Sequence, residues 1–422
     1  MNFLVKQSLQ PTKVNAISLG LNKRLISSNA LKVLHRLNKS GFQAFLVGGC
    51  IRDLLLGIAP KDFDIATNAE PEEIKRLFRN CRLIGRRFRL AHIRFGRELI
   101  EVATYRSSAI SDNEKSKRDN KGRILRDNVY GKIEEDVVRR DFKCNALYYD
   151  SAKDCVWDFV EGLNDIKNCQ LNFIGDANKR MQEDPVRMLR AARFSAKLGF
   201  KIDTKLSNQI RQNSDLLNSI PSARIFDEFM KLFQSGYAEK TFQSLIYFDL
   251  FKELFPETDA QIKIENNLKH FIEIALKNTD SRVQNNQSIT PMFLLGVLLW
   301  GPISKKAGKI RLKSDCSKAQ SLLLASYDVV GIHQEKIAIP KRFSSIMREM
   351  LVMQAKFEIT TEKQANKMIK SRIFRAAYDF LLLRSMTGDC PKKVIEFWTN
   401  IEQKTYYKVN NKYEKNKKIK HK

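Results

Sequence analysis

Two aspartates, Asp62 and Asp64, stand one residue apart in the otherwise apolar stretch Asp62-Phe63-Asp64-Ile65-Ala66. Along an extended strand, alternate residues face the same side, so both carboxylates are expected to point together. Like charges held side by side are unfavourable unless cations fill the gap. Magnesium takes carboxylate oxygens together with substrate phosphates, and a pair of such ions can stabilise both the attacking and the leaving oxygen of an in-line displacement. Upstream, Gly48-Gly49-Cys50-Ile51-Arg52-Asp53 lies between a strand and a helix start. Paired glycines let backbone N–H groups approach an anion, the helix start adds its positive dipole end, and Arg52 stands one turn in, within reach of a phosphate. A Gly-Gly turn after a strand is commonplace by itself; followed by Asp62 and Asp64 it points to phosphate chemistry.

A third carboxylate is expected from a neighbouring strand. Glu101, in Leu99-Ile100-Glu101-Val102-Ala103, is an isolated acid on an apolar run and needs a metal or a salt-bridge partner. Asp141, in Arg139-Arg140-Asp141-Phe142, competes for that place; it could instead hold a ribose while the arginines take phosphates. Further on, Glu183-Asp184-Pro185-Val186-Arg187-Met188-Leu189-Arg190 reads as a helix start, with proline at the first position and acids beside it. Asp184, Arg187 and Arg190 fall at three-residue steps along one face. An acid and an arginine there supply the acceptors and forked donors that reading a base edge requires, or else form an ion pair within the helix.

The elements that must position these residues are legible in part. Leu31, Leu34 and Leu37 mark an amphipathic helix that Gly41 stops, and Ala44 to Val47 reads as a buried strand. A helix through Arg52 and Leu56, a turn at Gly57 to Pro60 and the aspartate strand follow. Pro71 then opens a helix with Ile74, Leu77 and Phe78 on its apolar face. Strands are expected around Arg89 to Phe95, Leu99 to Tyr105, Ala146 to Asp150 and Val156 to Val160, with a polar loop from Ser107 to Val129. Beyond Asp184 the pattern is almost wholly helical. Residues 1–28 read as a leader or loosely packed arm, and 404–422 as a basic tail.

The chain has 422 residues, and 75 Lys+Arg against 47 Asp+Glu give a net charge of +28. Such an excess suits a polyanionic partner, nucleic acid or an anionic membrane surface, although a Lys- and Asn-rich composition also inflates it. The longest apolar run, Pro291 to Ile303, is too short to span a bilayer and reads as a buried helix. The first residues lack the apolar core of a secretory signal. Seven scattered cysteines without a Cys-x-x-Cys pair argue against a zinc site and a disulfide framework, so a cytoplasmic location is expected.

In this order and spacing the pieces resemble class II nucleotidyltransferases of the polymerase beta superfamily, the group of bacterial poly(A) polymerases and CCA-adding enzymes. The resemblance runs from about Phe45 to Phe200 and rests on Leu46-Val47-Gly48-Gly49-x-Ile51-Arg52-Asp53-Leu54-Leu55-Leu56-Gly57, Asp62-Phe63-Asp64, Arg139-Arg140-Asp141-Phe142-x-x-Asn145-Ala146-Leu147 and Glu183-Asp184-x-x-Arg187. The stretch Cys81 to Ile93 looks like the one that marks bacterial poly(A) polymerases. Cys50 departs from the small residue frequent in the family, and no His-Asp dipeptide of an attached phosphohydrolase occurs.

The resemblance implies an α+β fold: a mixed-sheet, polymerase beta-like head over 29–165, a helical neck over 166–240 for base recognition and RNA binding, and a helical, RNA-binding body over 241–403. Asp62, Asp64 and Asp141 would be catalytic, with two Mg²⁺ ions on Asp62, Asp64 and Glu101. Gly48, Gly49 and Arg52 would take the triphosphate, Arg139 a ribose or phosphate, and Asp184 with Arg187 the incoming base. The implied activity is template-independent adenylate addition to RNA 3′ ends from ATP, the RNA hydroxyl attacking the α-phosphate. CCA addition to tRNA and an inactive RNA-binding relative are the alternatives. RNA 3′ ends, ATP and RNA-decay machinery are the expected partners, and no membrane.

Overall fold

The computed structural model of the chain describes residues 9–85, 89–107 and 130–404. It divides into two compact units, Met1–Glu183 with Gly199–Gln209, and Asp184–Leu198 with Ile210–Lys422.

The first unit is built on one mixed sheet. Its elements are β1 (Thr12–Asn15), α1 (Ser28–Lys39), β2 (Ala44–Val47), α2 (Gly49–Leu55), β3 (Phe63–Thr67), α3 (Pro71–Leu77), β4 (Cys81–Ile84), β5 (Leu90–Phe95), β6 (Glu98–Thr104), α4 (Ile133–Arg139), β7 (Leu147–Asp150), β8 (Cys155–Asp158), α5 (Gly162–Lys167) and α6 (Ala177–Glu183). The eight strands lie in the order β1-β8-β7-β2-β3-β6-β5-β4. Every pairing is antiparallel except β3 with β6. That parallel pair needs a crossover, which α3, β4 and β5 supply.

Strand alternation sorts the side chains into two layers. Leu46, Phe63, Ile65, Ile100 and Val102 enter one core with Val33, Leu34, Leu37 and Ile51 from the first two helices. Phe45, Val47, Ala66 and Tyr148 join Val137 of α4 on the other side. Asp64 lies between Phe63 and Ile65, so it shares the second face. Ser27 caps α1, its hydroxyl accepting from the Asn29 and Ala30 N–H groups at 3.1 and 3.3 Å.

Two expectations need adjustment. The arm expected over residues 1–28 is in part integral: Thr12–Asn15 adds an edge strand to β8, and Ala16, Leu21 and Ile26 are buried in the first core. A four-residue edge strand with mostly exposed side chains leaves no periodic signature. Asp62 stands just outside the strand expected to carry it, because the ladder begins at Phe63. Most of the Ser107–Val129 loop, Arg86–Phe88 and all but the first residue of the basic tail lie outside the described residues.

Helix α8 (Thr204–Gln212) follows α7 (Val186–Leu198), and the second unit continues through α9 (Ser222–Phe233), α10 (Ala238–Tyr247), α11 (Phe251–Leu254), α12 (Pro256–Ile262), α13 (Asn266–Gln284), α14 (Pro291–Lys313), α15 (Lys318–His333), α16 (Lys341–Phe357), α17 (Glu362–Met368) and α18 (Phe374–Met386). Phe229, Phe233, Phe242, Phe251, Phe255 and Phe380 are fully buried there. The apolar run from Pro291 is the buried first half of α14, as expected. Among the described residues no helix is long and apolar enough to cross a membrane.

Candidate active site

The β3–β6 register sets Asp64 directly opposite Glu101. Val47 of β2 flanks Asp64 on the other side, and His92 of β5 flanks Glu101. Neighbouring strands are about 4.8 Å apart, so two carboxylates on one face repel each other at short range. Asp64 shows the strain: crowded by protein although its carboxylate remains accessible, it has its pKa pushed up to about 6. Burial is the main cause, and the negative charges of Glu101 and Asp62 add to it while Arg140 opposes it. Glu101 also meets His92, whose Nε2 lies 3.5 Å from its Oε1.

The glycine turn is adjacent. Gly48 has φ +82° and ψ −138°, a backbone conformation that side-chain-bearing residues rarely adopt. A Cβ there would lie 4.0 Å from Asp64 Oδ2 and 3.5 Å from Arg140 Nη1. The bare face of Gly48 therefore borders both the acid and the guanidinium. Arg52 takes a different position from the phosphate-facing one expected. It is 2% exposed and donates to Asn145 Oδ1 at 2.5 Å and to Asp53 Oδ1 at 2.9 and 2.6 Å. Its guanidinium packs beneath Gly49 and ties α2 to the segment before β7.

Arg140 is the arginine of the Arg139-Arg140 pair whose guanidinium borders Gly48. Its Nε donates to Tyr148 Oη at 2.8 Å, and its Nη2 to Asp136 Oδ2 at 2.9 Å. Tyr148 Oη in turn donates to the same Asp136 oxygen at 2.7 Å. The guanidinium centre is 5.1 Å from the Tyr148 ring centroid. The signal that would have found it is Asp136 four residues earlier on α4, the spacing of a helical ion pair. Arg139 donates from Nη1 to the Ser107 carbonyl at 3.0 Å. Arg180 of α6, also unforeseen, donates to the carbonyls of Arg139 and Arg140 and so fixes the backbone that carries both. Asp141 is half-buried in the same segment, its carbonyl accepting from the Ile174 N–H at 3.1 Å.

Asp184 and Arg187 belong to the second unit. Asp184 Oδ1 accepts from the Val186 N–H at 3.3 Å as a start to α7. Its Oδ2 accepts from Arg224 Nη2 of α9 at 2.7 Å in an ion pair. Arg190 lies over the Phe194 ring, 5.5 Å from its centroid.

The donor set around Asp64 fits a hard divalent cation. It offers the carboxylate oxygens of Asp64 and Glu101 side by side, the donor type such an ion prefers. Among the described residues no three acidic, cysteine or histidine side chains close a metal cage by themselves. That suits magnesium, which keeps waters and substrate phosphates among its ligands.

Comparison with known proteins places this arrangement. A family model described as the poly A polymerase head domain matches residues 44–172. One described as a probable RNA and SrmB-binding site of polymerase A matches 199–262, and the polymerase A arginine-rich C-terminus matches 314–422. Poly(A) polymerase I of Escherichia coli O157:H7 is 46% identical over 381 residues, covering 89% of this chain and 81% of its own length. The CCA-adding enzyme of Lactobacillus helveticus is 33% identical over 266 residues, covering 60% of this chain and 65% of its own length. The crystal structure of the Bacillus stearothermophilus CCA-adding enzyme in complex with CTP shares the fold at a TM-score of 0.56 and 23% identity, covering 88% of this chain and 81% of that one. The long match to poly(A) polymerase I, running through the head and on into the helical part, shows that the chain belongs to the bacterial poly(A) polymerase family of the tRNA nucleotidyltransferases.

Proposed function

We propose that this protein adds adenylates from ATP to RNA 3′ ends without a template. The observation that carries the reading is the facing pair Asp64 and Glu101 beside the Gly48 turn, in a chain 46% identical to poly(A) polymerase I. Asp62 and Asp64 would hold two magnesium ions, with Glu101 or Asp141 completing the set, and ions bound there would supply Lewis acidity to the phosphoryl transfer. The chain's own residues position. The space above Gly48 and Gly49 receives the triphosphate, and Arg52 keeps that turn in shape through Asn145 and Asp53. Arg139 takes the ribose or a phosphate, and Arg140 places a guanidinium beside Gly48. Asp184 and Arg187 read the base. No serine or histidine nucleophile is required, because phosphoryl transfer rests on alignment and charge neutralisation.

Two incubations test this. An unstructured RNA with ATP should grow a long tail. A tRNA lacking its terminus, given CTP and ATP, should not be extended by three nucleotides and stop. Growth of the tRNA alone, ending after three additions, would overturn the reading in favour of CCA addition.

A further inference from the structure

Helix α15 is apolar on two faces. Leu322, Ala325, Val329 and Val330 are buried, whereas Leu323, Leu324, Tyr327 and Ile332 are exposed. Tyr327, 55% exposed, has the Arg348 guanidinium of α16 stacked on its ring, 4.1 Å from the centroid. Arg348 Nε is buried with no hydrogen-bond partner among the described residues, while Nη1 donates to Ser344 Oγ at 3.4 Å. Among the described residues no carboxylate pairs with Arg348, so its positive charge is left for an anion beside the Tyr327 ring.

The pair borders a groove of about 490 Å³, with Leu323, Met353 and Ile373 as apolar lining and Lys356 and Ser371 also along it. On the far side of the Lys370–Arg372 turn lies a second groove of about 590 Å³, lined by Arg282, Arg372, Arg375 and Phe293 among others. The ground around the turn is strongly basic. Lys363, Lys367, Lys370, Arg372 and Arg375 are all exposed over this short stretch, with Glu362 among them and Asp379 and Glu402 paired to Arg375.

We propose that Tyr327 and Arg348 form a base-stacking subsite for single-stranded RNA, whose backbone continues over the Lys370–Arg372 turn into the second groove. The inference rests on the preceding reading only in taking RNA as the polymer bound. An exposed aromatic ring beside cations is the combination that holds unpaired bases, since every base has a π-face and every linkage a phosphate. An apolar protein segment would cover Leu323 and Tyr327 but would leave Lys363, Lys367, Lys370, Arg372 and the Arg348 charge unanswered. RNA answers all of them.

Fluorescence anisotropy of a labelled, unstructured oligoadenylate on the full-length protein tests the subsite without requiring catalysis. Tyr327→Ala should weaken binding by about tenfold, and Tyr327→Phe should retain it. Arg348→Ala should weaken binding and lower the slope of log affinity against log salt by about one. The rate of the first adenylate addition at saturating RNA, and the KM for ATP, should stay at the parent values. Tyr327→Leu, which keeps apolar bulk, carries the test if Tyr327→Ala fails to fold. Binding by Tyr327→Leu and Arg348→Ala equal to that of the parent would overturn the proposal and leave the groove to a protein segment. A parent that binds the oligonucleotide but incorporates no AMP would sink the activity reading, while loss of binding in the variants would still uphold the subsite.

Discussion

Asp64 and Glu101 face each other across the parallel pair β3–β6, and Gly48 turns the chain beside Asp64. The juxtaposition requires the crossover. An antiparallel return from β3 would have brought the next strand in sequence, rather than β6, beside Asp64. The sheet thus concentrates negative charge at one edge of a glycine turn, where a triphosphate and its cations would bring the opposite sign.

The raised pKa of Asp64 sets a pH dependence. Its value of about 6 lies above the ordinary 3.8, so the folded protein holds this proton more tightly than the unfolded chain. The stability contributed by the group is fully present below the ordinary value and is lost as pH rises through about 6. Metal competes with the proton, so at low magnesium the activity should fall as pH drops below about 6. Raising the magnesium concentration should move that limb to lower pH. An initial-rate profile at two magnesium concentrations checks this, and coincident limbs would contradict it.

Arg140 is aimed by Asp136 and Tyr148. Tyr148→Phe removes the Nε acceptor and should cost about 1–2 kcal/mol of stability while raising the KM for ATP severalfold. Asp136→Asn should do more, about 3 kcal/mol, because it takes the countercharge from a mostly buried guanidinium. Thermal melts and steady-state kinetics of both variants give the comparison. Equal ATP kinetics in folded Tyr148→Phe would show that Arg140 does not need its aim.

Gly48 tolerates little. Its backbone conformation should make Gly48→Ala less stable by about 1–3 kcal/mol, and the added carbon would take up the face that borders Asp64 and Arg140. Incorporation of AMP should fall by more than the loss of folded protein accounts for, measured as activity per folded molecule by circular dichroism at the assay temperature.

Arg224 of α9 holds Asp184, two residues before α7, by an ion pair. If Asp184 reads the base, Arg224→Ala frees its carboxylate and should lower the preference for ATP over CTP, by about tenfold if one hydrogen bond of discrimination is lost. Competition between the two nucleotides on one RNA measures it. An unchanged ratio would remove Asp184 from base selection.

Much of the site was legible because strand alternation and motif spacing are local. Asp64 and Glu101 on one face follow from residues that alternate with Phe63, Ile65, Ile100 and Val102. What stayed hidden depends on tertiary register. The sequence does not tell that β3 and β6 pair in parallel with Asp64 opposite Glu101, or that Arg52 turns inward to Asn145, and the one local sign of Arg140's place is Asp136 four residues before it. The edge strand Thr12–Asn15 was missed for a similar reason: its pairing with β8 comes from residues far along the chain, and its own side chains are mostly exposed.

The most direct measurement is the magnesium dependence of AMP incorporation, with thermal melts alongside, for the parent and Asp64→Asn. The substitution removes the repulsion while keeping the shape. It should leave the metal-free protein as stable as the parent or more so, and cut incorporation by about a thousandfold or more at every magnesium concentration. Parent-like incorporation by a folded Asp64→Asn protein would contradict the account at its centre.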